Sequence, residues 1–133
     1  MKAVVLASAL VAGAAEAAQI VCVTQTPSSR DWVPDQVLIE LDSERLEAAV
    51  LDEFTLEALG GPVRVQFKQA GRRKLQLSWE LVGATDRQGR KQNVNFRMTL
   101  NMARGTFTYN GIGESFYLAP GSASGRCAAV PNS

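Results

Sequence analysis

The side chains that could do chemistry in this chain are few and unevenly placed. Among its 133 residues there are two cysteines, Cys22 and Cys127, and no histidine. The missing imidazole removes the usual general base at neutral pH. No GxSxG elbow, phosphate-binding loop, dinucleotide fingerprint or metal-ligand cluster occurs. A hydrolase would have to use paired carboxylates, or a serine with a lysine. The available carboxylates crowd between Glu40 and Glu57 among polar and turn residues, which is the pattern of solvated surface charge. The residue chemistry therefore predicts a protein that is not an enzyme and holds no cofactor or metal.

Basic and acidic residues are segregated along the chain. Between Gln36 and Pro62 lie seven acids (Glu40, Asp42, Glu44, Glu47, Asp52, Glu53, Glu57) and one base, Arg45. Between Val63 and Arg104 lie ten bases and two acids, Glu80 and Asp86. The formal net charge of +1 conceals this asymmetry. A basic flank fits an anionic partner such as an envelope protein, polymer or lipid head group. Such flanks also keep sheets soluble and guard their edges. Near-zero net charge and predicted export argue against nucleic acid.

The opening "MKAVVLASALVAGAAEAAQI" has the organisation of a secretory signal peptide. It carries a charged Lys2, an apolar stretch over Ala3–Gly13, and small residues at Ala15 and Ala17. The apolar stretch is too short to span a bilayer. Residues 1–17 are thus expected to be removed, leaving 18–133 as one periplasmic or secreted domain with no transmembrane segment. Export places both cysteines in an oxidising compartment, where a single pair predicts a Cys22–Cys127 disulfide.

The elements that must carry these groups alternate with period two. "QVLIELD" sets Val37, Ile39 and Leu41 on one face, and "PVRVQFK" does so with Val63, Val65 and Phe67. "KLQLSWELV" and "NVNFRMTLN" continue the pattern through Leu75–Leu81 and Val94–Leu100, and "GTFTYN" and "ESFYLA" add Phe107, Tyr109, Phe116 and Leu118. Alternation of this kind marks antiparallel strands with one dry face. "QAGRR", "GATDRQGRK", "NMARG" and "NGIG" are the expected turns, the last at Asn110–Gly113. The result is an all-β meander, closed as a barrel by pairing of its first and last strands, with an open sandwich as the alternative.

Residues 43–59 admit two readings. One is a single amphipathic helix. The preferred one is a turn at Ser43–Arg45, a strand over Leu46–Leu51 and a short helix over Asp52–Leu59, which provides the preceding strand with a sequential partner. Trp32 fits neither alternation, and suits a cap on the barrel mouth or an exposed contact.

In a meander, successive turns alternate between ends. Arg72, Arg73, Lys74 and Arg104 should therefore gather at one end as a candidate surface for an anionic partner. Arg87, Arg90 and Lys91 should occupy the other, with Arg64, Lys68, Lys74 and Arg97 on the outward face between.

"FRMTLN", Gly105, "TFTY" and the closing "GRC" resemble the C-terminal half of small secreted all-β proteins of alphaproteobacteria, over about residues 46–127. That resemblance implies compartment and β-fold. The format is also similar to periplasmic lysozyme inhibitors, which are small disulfide-linked barrels. "RGTFTY" and "FYLAPG" do not reproduce their inhibitory loops, so no inhibitory residue is assigned. The function expected is non-enzymatic binding of an envelope component through the outer surface. A carrier with a small apolar ligand inside the barrel is the alternative.

Overall fold

A computed structural model of the protein describes residues 17–27, 31–86, 88–114 and 121–130. Most of the expected signal peptide, Arg87, Phe116 and Leu118 lie outside the described residues. Among the described residues eight strands run in chain order: β1 (Ala17–Pro27), β2 (Gln36–Asp42), β3 (Glu47–Leu51), β4 (Val63–Gly71), β5 (Lys74–Thr85), β6 (Lys91–Asn101), β7 (Thr106–Gly113) and β8 (Gly121–Val130). Each pairs antiparallel with the next, and β8 pairs with β1, so the meander is a closed barrel. No helix among the described residues is long and apolar enough to cross a membrane.

The seam is where the two cysteines meet. Cys22 and Cys127 stand directly opposite in the β1–β8 ladder, with Cα atoms 4.0 Å apart, and form the disulfide. The bond joins residues 105 positions apart. Closure leaves the meander with no first or last edge to pair with another chain.

Between β3 and β4 the chain turns once into helix α1 (Glu53–Leu59). The preferred reading of residues 43–59 is borne out: turn, strand, then short helix. Seven residues do not sustain a helix alone, so its caps matter. Asp52 Oδ1 accepts from the backbone N–H groups of Phe54 and Thr55, each at 2.9 Å, while Thr55 Oγ1 accepts from Asp52 N–H at 2.9 Å. This reciprocal pair is a capping box with threonine in the distal role. Gly60, at φ 75°, ends the helix in the left-handed conformation.

The barrel interior is filled by the inward positions of every strand, among them Val37, Ile39, Val50, Leu77, Leu81, Val94, Met98 and Leu100. One end is closed by an aromatic cluster. Phe96 lies 5.5 Å from Trp79, 6.0 Å from Phe54, 5.7 Å from Tyr109 and 6.4 Å from Trp32, centroid to centroid. Trp32 is 2% exposed and so caps the mouth from within.

That cap overturns one expected turn. Asn110–Gly113 is not a tight turn; it continues β7, paired residue by residue with Arg97–Val94. Gly111 is needed for close approach: a Cβ there would come within 2.8 Å of Trp32 Cβ and 2.9 Å of its carbonyl oxygen. A glycine in a strand signals such an approach as readily as it signals a bend.

Candidate anion-facing outer wall

The same alternation that packs the core dictates what the outer wall of β5–β8 presents. Register converts the outward residues into rows across four strands. Lys74, Asn101, Thr106 and Arg126 form the first row, next to the turns. Gln76, Thr99, Thr108 and Ser124 form the second, and Ser78, Arg97, Asn110 and Ser122 the third. These twelve positions hold three cations and nine hydroxyl or amide side chains. They hold no carboxylate and no aromatic. Glu80, Asn95 and Ile112 make the next row, where the first acid enters.

Two open clefts lie on this wall. One, of about 520 Å³, is bordered by Lys74, Asn101, Thr108, Ser124 and Arg126, with Gln25 of β1 at its rim. The other, of about 530 Å³, is bordered by Ser78, Asn95, Arg97, Asn110 and Ile112. Arg97 and Asn110 are the next outward residues, along their strands, after Thr99 and Thr108 of the first cleft, so the two adjoin.

The four cations singled out in the sequence are brought together. The β4–β5 turn (Arg72, Arg73) and the β6–β7 turn (Met102–Gly105) are joined by a hydrogen bond in which Met102 N–H donates to the Arg73 carbonyl at 2.8 Å. Asn101 Oδ1 accepts from Arg104 N–H at 3.1 Å and shapes the second turn. Gly105 takes φ 66° within it, and its carbonyl accepts from Cys127 N–H at 2.8 Å, which ties the turn to β8 beside Arg126. Arg72, Arg73, Lys74 and Arg104 are all exposed. Lys74 belongs both to this end cluster and to the first row of the wall.

Sequence reasoning missed Arg126 and the polar rows. Their signal was present as threonine, serine or asparagine at the outward places of "RMTLN", "TFTYN" and "GSASGR". Only register aligns them. Arg64 departs from expectation: it is paired opposite Ala49 and borders a cleft with Glu40, Asp42, Arg45 and Glu47, so it belongs to the acidic flank. Lys68 pairs with Gln76 and extends the basic wall.

The remaining charged groups are accounted for locally. Arg90 and Lys91 lie at the opposite end, in and after the β5–β6 loop. There Asp86 takes N–H groups from Gln88 and Arg90 on Oδ1, and Arg90 Nε lies 3.3 Å from Oδ2. The backbone N–H of Arg90, more than its nearby charge, holds the Asp86 carboxyl below its ordinary value. Asp52 is the opposite case. Burial pushes its carboxyl up, against the N–H groups of the cap and the Tyr109 hydroxyl at 3.4 Å. Burial, followed by the charge of Asp52, also pushes the Tyr109 hydroxyl well above its ordinary value. Neither residue borders the two clefts of the wall, and the pair serves the helix cap. Among the described residues, no three His, Cys, Asp or Glu side chains gather as a metal site.

Comparisons with family models, with curated proteins and with solved structures return no match for this chain.

Proposed function

We propose that this is a periplasmic or secreted, non-enzymatic protein that binds an anionic envelope component on the outer wall of β5–β8. The observation that carries this reading is the three-row field of cations, hydroxyls and amides without a carboxylate, continuous with the Arg72, Arg73 and Arg104 end cluster. A field of one sign attracts and orients an oppositely charged partner. The attraction is screened beyond about 8–10 Å at physiological salt.

The test is recovery of partners from an envelope extract at low and high salt, using wild type and a variant carrying Lys74→Ser, Arg104→Ser and Arg126→Ser. Recovery should fall with salt and with the substitutions, while thermal stability is unchanged. Equal recovery in all four conditions would leave the wall as a solubility feature.

The carrier reading draws on a different observation. The indole N–H groups of Trp32 and Trp79 are buried without a hydrogen-bond partner, and such orphans can mark a ligand site. Phe54, Phe96 and Tyr109 already occupy the space around them. The outer wall therefore has the stronger support.

A further inference from the structure

We infer that the occupant of the β5–β8 wall is a linear acidic polysaccharide, one whose carboxylates are separated by neutral, hydroxyl-rich sugar. The inference rests on the reading of this wall as an anion-binding surface, and concerns which anion fits it.

Spacing comes first. Lys74 and Arg126 share a row but stand three strands apart, about 14 Å at the ordinary strand separation. Arg97 lies two rows away, four residues along the strand from Asn101, which is about 13 Å. Within the three rows the charges are thus sparse and separated by neutral donors and acceptors, and the denser charge of Arg72, Arg73 and Arg104 is confined to the end beside Lys74. A charge-dense polymer, with an anion every few ångströms, would leave most of its charges over uncharged side chains.

The filling between the cations decides among sparse anions. Thr99, Thr108, Ser124 and Asn110 each combine donor and acceptor capacity, as sugar hydroxyls do. They border the two open clefts of the wall. An acidic protein surface would be expected to meet an aromatic or arginine anchor in a desolvated pocket; the outward positions of this wall hold no aromatic, the aromatics beneath its clefts (Trp79, Phe96 and Phe107) are buried in the core, and its arginines are exposed. A membrane surface would be expected to meet exposed apolar side chains that enter the acyl boundary; of the large apolar residues bordering the two clefts, Trp79, Phe96 and Phe107 are buried and Ile112, at the far rim, is the exposed one. Acidic glycan is the class that uses both the cations and the hydroxyl rows.

The test is titration of the intact, disulfide-bonded protein with hyaluronan oligosaccharides, whose carboxylates alternate with neutral sugars. Poly-L-glutamate, phosphatidylglycerol vesicles and neutral dextran are the comparison arms. Hyaluronan should bind at least about tenfold more tightly per charge than polyglutamate or vesicles at physiological salt, and dextran should not bind measurably. A Thr99→Val, Thr108→Val double variant keeps the β-branched shape and every charge. It should weaken hyaluronan binding about fivefold or more, as loss of two hydrogen bonds would, and leave polyglutamate binding unchanged, with an unaltered melting temperature as the control for folding. Equal affinity for polyglutamate or vesicles, or a double variant with wild-type hyaluronan affinity, would overturn the polysaccharide class while the anion-binding wall stood. Binding of none of the three anions would overturn both.

Discussion

The two halves of the barrel obey the same rule inside and diverge outside. In β1–β4 the outward positions of β2 and β3 include Glu40, Asp42 and Glu47, with Leu38, Ala49 and Leu51 between them. In β5–β8 the corresponding wall is cationic and hydroxyl-rich. The ladders differ as well. β6 pairs with β7 without interruption from Val94 to Asn101. β4, by contrast, divides its pairing, meeting β3 over Val63–Gln66 and β5 over Phe67–Gly71, and α1 packs in the gap against β5 and β3. Inward residues are constrained by packing and cannot vary in polarity without cost. Outward residues are free, so the difference between the flanks is where a binding preference can be written.

The largest effect should come at the seam that holds the halves together. Replacing both cysteines by serine releases a loop spanning 105 residues of separation. Denaturant unfolding should then report a loss of about 4–5 kcal/mol on the loop-closure argument, less any strain relieved. A loss under about 1 kcal/mol would mean that the β1–β8 ladder alone maintains closure.

Next in size is the contrast between the two faces of β6. Phe96→Ala removes the centre of the aromatic cluster and should cost about 3–5 kcal/mol, as should Trp79→Ala on the facing strand. Asn95→Ala, one residue away and exposed, should stay within about 0.5 kcal/mol. Similar costs for the two would break the assignment of inner and outer faces.

Two acids sharpen the comparison through pH. Asp52, in the α1 half, has a raised carboxyl pKa. Its contribution to stability is fully present below the unfolded value and is lost as pH rises through the folded value. Asp86, at the β5–β6 loop, has a lowered one. Its contribution is present above the unfolded value and is lost as pH falls through the folded value. Asp52→Asn keeps the cap acceptor and should remove the first slope, and Asp86→Asn should remove the second, in melting temperatures measured across the acid range. Asp52→Ala loses the cap itself and should cost about 1–2 kcal/mol. If both asparagine variants bend the curve the same way, the two environments are not opposed as described.

The smallest predicted effect separates two turns at one end of the barrel. Asp42 Oδ1 accepts from Arg45 N–H as Asn101 Oδ1 accepts from Arg104 N–H, three residues on in each case. The left-handed position holds Leu46 at φ 54° in one turn and Gly105 at φ 66° in the other. Leu46 is 54% exposed, so Leu46→Gly should stabilise by about 0.5–1 kcal/mol through relief of the left-handed penalty. Gly105→Ala should destabilise by about 1 kcal/mol or more, since its Cβ would sit 3.0 Å from the Cys127 carbonyl oxygen. Equal and opposite responses in chemical denaturation would show that the αL cost alone distinguishes the turns.

What the sequence by itself determined is everything carried by local repetition and by composition. Period-two alternation set the inward residues of β2 and β4–β7, and the pair of cysteines in an export-like chain led to the Cys22–Cys127 bond. The need of β2 for a sequential partner led to the strand over Leu46–Leu51 and the short helix after it. These signals are legible because each depends on neighbours a few residues apart, or on a choice with one outcome. Tertiary structure alone decided the rest. Gly111 resembles a turn residue until Trp32 is known to lie against it. Arg64 looks like part of the basic flank until it is paired opposite Ala49, and Arg126 joins Lys74 only through three successive strand registers. Alternation tells which face a side chain takes but not which residue stands beside it across a ladder. That second fact is set by loop lengths, bulges and core packing acting together, and it is what converts scattered polar residues into a wall.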